Sequence, residues 1–330
     1  MPSTPPFSRD VFTRDHELQP SVASLLPASA TIDHVLVRPT DDIHRYLLKD
    51  LAVERLNKIH AYLWLAGWPM PPKPLNFHVA ATRELVLDER INMHMVWGSS
   101  NSLHLKPIPR YIIDADFWQS HLICSCSSCG IDQNKQAKMC TRELYKYSMG
   151  FLRSYIGLIQ FESDIAIAHS HHLLPKEITW SKWLTFVEQV LKNGISDPAN
   201  FNSRYLFGEL RLSRLNQICV FRFGQVLRGY QFTYQTYGEL FRAHVTPLTA
   251  AIVYIALVLT AMQVGLATNR LGTSLSFQNS SYGFTVFSIL APLIGLVLVG
   301  MFGVFQFAAA LIKSWRFQQD QFKLFKTPVP

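Results

Sequence analysis

Two charge-free stretches near the carboxy terminus constrain this chain more than any other feature. Between Arg242 and Arg270 no Asp, Glu, Lys or Arg occurs, and "PLTAAIVYIALVLTAMQVGLAT" (247–268) is long enough, as a helix, to cross about 30 Å of hydrocarbon. Between Arg270 and Lys313 a second gap holds "FTVFSILAPLIGLVLVGMFGVFQFAAALI" (284–312). At about 1.5 Å per residue this helix exceeds the hydrocarbon thickness, so tilt or a kink is expected. Pro292 is the expected hinge, with Ser288 one turn earlier placed to satisfy the carbonyl that the proline leaves unpaired. Helices of soluble cores rarely run so long without a charge, and two in succession are rarer. The reading is an integral membrane protein with transmembrane helices at 246–268 and 284–312, a polar loop at 269–283 and a basic tail at 313–330. Ala261 and Gly265, and again Ala291 and Gly295, have the small-xxx-small spacing that lets helix backbones approach in such a hairpin.

The positive charges give the orientation. Arg222, Arg228 and Arg242 precede the first apolar stretch, Lys313, Arg316, Lys323 and Lys326 follow the second, and the loop holds only Arg270. Both termini are therefore expected in the cytosol and the loop in the lumen of the endoplasmic reticulum or another endomembrane, a multi-pass arrangement. The net charge of +8 then faces an anionic cytoplasmic leaflet, which accounts for it without nucleic acid. Asn279-Ser280-Ser281 is a glycosylation sequon on the expected loop, although its closeness to Phe284 works against modification.

The remainder reads as mainly α with a small β-hairpin or meander. Residues 1–30, rich in Pro and Ser and broken by Arg9, Asp10, Arg14 and Asp15, lack the apolar run of a signal peptide and read as a flexible tail. A cytosolic domain follows at 31–240. Thr40 is expected to cap a helix opening with Asp41 and Asp42, and the apolar spacing continues as two helices meeting near Val53 and stopping at Gly67. Short strands are expected over 76–108. Met93, Met95 and Trp97 alternate with His94 and Val96, and Leu103 and Leu105 with His104 and Lys106. A register pairing residues whose numbers sum to an even total keeps the apolar sets on one inward face, leaving His94 and His104 together on the other.

Residues 141–172 read as one long helix with a stripe of Leu144, Ser148, Phe151, Tyr155, Leu158, Ile165 and His169. Glu162 falls on that stripe, where burial would raise a carboxyl pKa towards neutrality. Glu162, Asp164 and His169 are therefore the candidate acid–base residues, against the plainer reading of a structural ion pair. A further helix is expected after Thr179, stopping at Asn193-Gly194, and then a basic one. Arg211, Arg214, Arg222 and Arg228 are the candidate lipid-headgroup contacts, a solvated helix face being the alternative.

"CSCSSCG" (124–130) and Cys140 place four thiols within 17 positions. In a reducing cytosol a disulfide framework is disfavoured. Cys124, Cys126, Cys129 and Cys140 supply the number for a zinc site, but their C-x-C-x2-C-x10-C spacing matches no known finger, and a loop insertion open to S-acylation is the competing reading. No other cofactor motif is present: the chain carries no phosphate-binding loop, dinucleotide fingerprint, G-x-S-x-G or H-E-x-x-H.

The blocks "RYLLKDLAVERLNKIHAYLWLAG", "LKPIPRYIIDADFW", "GFLRSYIGLIQFESDIAIA", "LLPKEITWSKW", "RYLFGELRLSRLN" and "TAMQVGLAT…SYGFTVFSILAPL" resemble an uncharacterised family of filamentous-fungal membrane proteins defined by a domain of unknown function. The resemblance covers about residues 40–312 and implies a helical cytosolic domain followed by two spans, with no activity to transfer. Three functions remain open: a membrane-anchored accessory or scaffold protein serving membrane-associated biosynthetic enzymes, those of fungal secondary metabolism among them; an integral membrane enzyme acting on a lipophilic substrate through Glu162, Asp164 and His169; and an anionic-lipid-binding module.

Overall fold

Asp42, rather than Thr40, starts the first long helix. Its carboxylate accepts the Arg45 amide proton at 3.0 Å, satisfying one of the donors that a helix start leaves unpaired. In the computed structural model, which describes residues 4–12, 21–98, 101–124, 141–223, 230 and 237–326, this helix is Ile43–Leu51. It gives way at Val53 to the short helix Glu54–Asn57, and further single turns lead to Gly67. The chain divides into two units, Met1–Thr233 and Tyr234–Pro330.

The first unit is mainly helical with two small sheets. Strands β1 (Ala30–Ile32) and β2 (Val35–Val37) form an antiparallel pair, and β3 (Glu84–Leu87), β4 (Val96–Trp97), β5 (Ser102–Leu105) and β6 (Leu210–Arg211) form a mixed sheet in the order β3-β5-β4-β6. The β4–β5 pairing sets Val96 opposite His104 and Trp97 opposite Leu103, the even-sum register that the alternation of apolar residues specifies. The parallel pairings of β3 with β5 and β4 with β6 join segments far apart in sequence and carry no local signal.

The period-two reading fails one residue before β4. Met95 has a left-handed φ of 63°, so the side chains on either side of it no longer alternate, and His94 turns into the core instead of towards solvent. Lys106, expected beside His104 on an outer face, lies just past the end of β5 and is also buried.

The expected single helix over 141–172 is two, Arg142–Leu158 and Glu162–Ser170. Asp164 accounts for the break: its carboxylate takes the amide protons of Gln160 at 3.0 Å and Phe161 at 2.9 Å, donors that a continuous helix would send to carbonyls four residues back. The freed carbonyls find side chains, Gly157 accepting from Gln160 Nε2 at 2.9 Å and Ile159 from the Trp183 indole at 3.1 Å. Gly157 is required there, since a Cβ would lie 2.7 Å from the Pro72 ring. The helix Trp180–Lys192 stops where expected, at Asn193 and a Gly194 with φ +82°.

The amino-terminal segment is docked rather than a loose tail. Phe7 and Val11 are buried, Phe7 meets Phe186 edge-on at 4.9 Å between ring centroids, the Ser8 amide donates to Gln189 Oε1 at 2.6 Å, and Asn193 Nδ2 donates to the Pro6 carbonyl at 2.8 Å. Aromatic rings offer enough apolar area to hold a segment whose average composition looks disordered.

In the second unit Tyr237–Leu266 and Leu275–Lys326 are two long helices, with the one-turn helix Asn269–Gly272 between them. Both are long and apolar enough to cross a membrane, and only 6% and 11% of their apolar windows, Thr249–Leu266 and Leu275–Leu298, are buried. They are therefore not core helices of this chain. The expected 269–283 loop is largely helical, because the second helix starts at Leu275 and continues through Pro292. Ser288 Oγ donates to the Phe284 carbonyl at 2.7 Å, so its hydroxyl does not serve the carbonyl orphaned by the proline. Gly265 admits the Phe277 ring, which a Cβ would meet at 2.8 Å.

Candidate functional site

The acid–base candidates occupy one helix, Glu162–Ser170, but do not converge. Glu162 is exposed in the first turn, not buried as its place on the stripe implies, and His169 lies two turns away, roughly 10 Å along the axis. His169 Nε2 is buried with no hydrogen-bond partner among the described residues. Asp164 is fully buried, and its three acceptor contacts go to backbone amides: those of Gln160 and Phe161, and that of Asn76 at 2.7 Å. It fastens the helix start to the helix Leu75–Ala80. Of the four thiols proposed for zinc, Cys124 is half-buried, while Cys126, Cys129 and Cys140 lie outside the described residues. Among the described residues no group of three or more His, Cys, Asp and Glu side chains is placed to hold a metal ion. Asn279 lies on the helix Leu275–Lys326, not on the open loop that a sequon reading assumes.

Further buried ionisable groups lie elsewhere, in two clusters that sequence reasoning missed. In the first, Lys106 Nζ contacts Asp50 Oδ1 at 2.9 Å and the Glu89 carbonyl at 2.7 Å, and the Tyr111 hydroxyl donates to Asp50 Oδ2. The Lys106 amide donates to His94 Nδ1 at 3.1 Å, so the proton of this imidazole sits on Nε2, which reaches Ser154 Oγ at 2.7 Å. Burial, then the positive charges of Arg204 and Lys106, hold His94 well below the usual histidine range. Arg204, also buried, donates to the carbonyls of Phe207 and His94. These polar groups tie the Ile43–Leu51 helix, β5 and the Arg142–Leu158 helix together. The one sequence feature these residues share is that Asp50, Lys106, Tyr111 and Arg204 all fall inside the distinctive blocks.

The second cluster joins the helix Leu75–Ala80 to the start of β6. Arg83 Nη1 donates to His78 Nδ1 at 2.7 Å, so Nε2 carries the proton and points to the Lys73 carbonyl at 3.2 Å and Glu209 Oε1 at 3.4 Å. Burial and the charges of Arg83 and Lys73 push the His78 pKa down to about 4, against the pull of the Lys73 carbonyl, so the His78–Glu209 contact is a neutral donor on a carboxylate and not an ion pair at pH 7. Burial raises the Glu209 carboxyl, opposed by the Lys73 amide and then by the Arg83 charge. A histidine whose folded pKa lies below its unfolded value of about 6.5 gives stability that is complete above that value and lost as pH falls towards the folded pKa. From pH 6.5 to 4 the loss expected from His78 is about 3 kcal/mol, with His94 acting in the same direction. His78→Gln should flatten the dependence of the urea midpoint on pH across that window, and equal slopes in wild type and variant would contradict the assignment.

A cleft of about 410 Å³ lies between the Arg142–Leu158 and Trp180–Lys192 helices, lined by Pro71, Arg153, Gly157, Trp183, Leu184 and Val187 among others. Arg153 is its only charged lining residue, and it already donates to the Tyr205 carbonyl at 3.0 Å. None of Glu162, Asp164 and His169 lines it, so the cleft can hold an apolar group but presents no acid–base pair.

The arginines proposed for lipid contact lie at and beyond β6. Arg211, Arg214 and Arg222 are exposed and Arg228 is outside the described residues. Arg211 stands 5.5 Å from the Trp97 ring centroid, on which Arg83 stacks at 3.7 Å, and Arg214 Nη1 donates to the Leu65 carbonyl at 3.0 Å. That last bond seats the helix Leu212–Phe223 beside the one-turn helix Leu63–Ala66, which presents Trp64 to solvent.

These features define a mainly helical domain with a small mixed sheet, its buried ionisable groups spent on internal contacts, followed in the chain by two long apolar helices. The chain belongs to a family of unknown function, DUF6601, whose model matches residues 43–292. That match takes in both buried clusters and the first apolar helix and ends at Pro292, inside the second. No curated protein and no solved structure matches the chain.

Proposed function

We propose that the protein is a membrane-anchored accessory or scaffold protein. The two apolar helices cross an endomembrane such as that of the endoplasmic reticulum, both termini face the cytosol, and the folded domain offers its surface to membrane-associated biosynthetic enzymes. The observation that carries this reading is the exposure of the apolar windows Thr249–Leu266 and Leu275–Leu298: side chains such as Leu257, Val264 and Leu296 are largely uncovered among the described residues, and hydrocarbon is the solvent that suits them. The fungal origin rests on the sequence resemblance alone, and service to secondary metabolism is part of the proposal. An acid–base enzyme is the weaker reading, because Glu162 is exposed and none of its three candidate residues lines the cleft between the Arg142–Leu158 and Trp180–Lys192 helices. Contact with anionic lipid is favoured as a second role by the exposed Arg211, Arg214 and Arg222.

Alkaline carbonate should leave the full chain in the membrane pellet, and protease added outside sealed microsomes should digest the folded domain. Release by carbonate, or a domain spared by external protease, would overturn the anchoring or the orientation respectively. Comparison of metabolites from deletion and wild-type strains should show a missing or accumulating compound, and identical profiles would remove the biosynthetic role.

A further inference from the structure

Among the exposed apolar side chains of the first unit, four lie on two segments that a hydrogen bond joins. Trp64 is 64% exposed, Trp68 75% and Phe221 87%, and Leu65 is also open to solvent. The Arg214–Leu65 hydrogen bond brings their two segments together. On the helix Leu212–Phe223 the residues Arg214, Gln217 and Phe221 follow one another at helical spacing along the exposed side, while Leu215, Ile218 and Cys219 are buried. Arg222 is exposed beside Phe221.

The backbone enforces the outward pose of Trp68. Gly67 is fully extended, with φ −160° and ψ 172°, and a Cβ on it would lie 2.2 Å from the Glu209 carbonyl oxygen. Successive side chains of an extended chain point to opposite sides, so residue 68 must face away from the domain. Pro69 then fixes the chain beyond it.

Solvent-facing indole rings beside guanidinium groups match the headgroup level of a bilayer, where the ring body sits among acyl-chain ends and the indole N–H and the cations stay among phosphates. The chain itself keeps such a surface near lipid. Tyr230 is buried in the first unit, bonded to Asn216 and to the Asn92 carbonyl, so residues 231–236 separate it from the first apolar helix at Tyr237, a reach of at most about 25 Å. Tethering of this kind makes a weak surface contact effectively intramolecular.

We propose that Trp64, Trp68 and Phe221, flanked by Arg214 and Arg222, form a docking surface that lays the folded domain on the anionic cytoplasmic leaflet of the membrane in which the chain is anchored. This rests on the anchoring reading and adds the face by which the domain meets lipid. The aromatic residues supply insertion and the arginines the preference for anionic headgroups.

The test uses the full chain reconstituted in phosphatidylcholine vesicles, with and without phosphatidylserine, whose acyl chains carry bromine near the headgroup. Bromolipid should quench the tryptophan emission of wild type more than that of a Trp64→Ala/Trp68→Ala variant, and the difference should grow with phosphatidylserine and shrink with salt. Arg214→Gln and Arg222→Gln should each weaken docking about fivefold on anionic vesicles. Both substituted tryptophans face solvent, so the variant should keep the near-UV circular dichroism of the buried aromatic residues, which checks that it is folded. Equal fractional quenching of wild type and the folded variant would overturn the proposal, as would a difference indifferent to phosphatidylserine. Protection of Trp68 that follows protein density in the vesicle instead of bromolipid content would assign the patch to a second copy of the chain and overturn it too. Carbonate extraction of the same samples separates the two failures: a retained chain without differential quenching sinks the docking surface alone, and a stripped chain sinks the anchor.

Discussion

Substitution of Asp50 by alanine should cost the folded domain about 3–5 kcal/mol, because it leaves a buried ammonium without its counter-charge. Lys106 is 1% exposed, and its other partners are the Glu89 carbonyl and a Glu89 carboxylate at 3.4 Å whose side chain is 72% exposed and well screened by water. The same substitution orphans the Tyr111 hydroxyl. Burial, and then the Asp50 charge, raise the Tyr111 phenol, which therefore stays protonated and needs an acceptor. Lys106→Met should be milder, since it removes the charge, keeps the apolar stem and leaves Asp50 bonded to Tyr111. For a unit of this size the first variant should melt about 10 °C or more below wild type. An Asp50→Ala variant as stable as Lys106→Met would show that the pair is not what holds these segments.

Asp164→Ala should be nearly as damaging, at about 3–5 kcal/mol, through a different cause. Three partly buried backbone amides, those of Asn76, Gln160 and Phe161, would lose their acceptor, a side chain that is itself fully buried. Asp164→Asn should recover part of the loss, because one amide oxygen can still accept but the second position becomes a donor facing an N–H. Glu162→Gln, on the exposed side of the same helix, should leave the melting temperature almost unchanged. If Asp164→Ala instead kept wild-type stability while altering a metabolite, the carboxylate would be reactive rather than structural.

The parts of this architecture that were legible in the sequence are those whose cause is local. The β4–β5 register follows from alternation, the stop after Lys192 from Asn193-Gly194, and the helix division near Val53 from a slip in apolar spacing. The two long apolar helices follow from composition alone. What stayed hidden depends on partners distant in the chain. The break at 159–161 is caused by a carboxylate that also reaches Asn76, His94 is turned inward by one left-handed residue, and β6 pairs with β4 across more than a hundred positions. Burial of a carboxylate is the right property, but the stripe assigns it to Glu162, whereas Asp164 on the neighbouring face is the buried one, and local spacing does not reveal that amides surround it. Glu162 was chosen from a stripe that the helix break dissolves. The Lys106 cluster was missed because a lysine near a strand end reads as solvated, whereas its ammonium is met by Asp50 from 56 positions away.

The docked amino-terminal segment has a consequence for biosynthesis. Ser8 finds its acceptor on Gln189, 181 positions later, and Pro6 waits for Asn193. At roughly 5–20 residues per second a ribosome needs about 10–40 s to bridge that interval. For that time the Phe7 ring lacks its Phe186 partner and stays open to whatever chaperone meets it first. Closure of the amino-terminal strap is therefore a late event in the maturation of the domain, and no fragment ending before the Trp180–Lys192 helix can perform it.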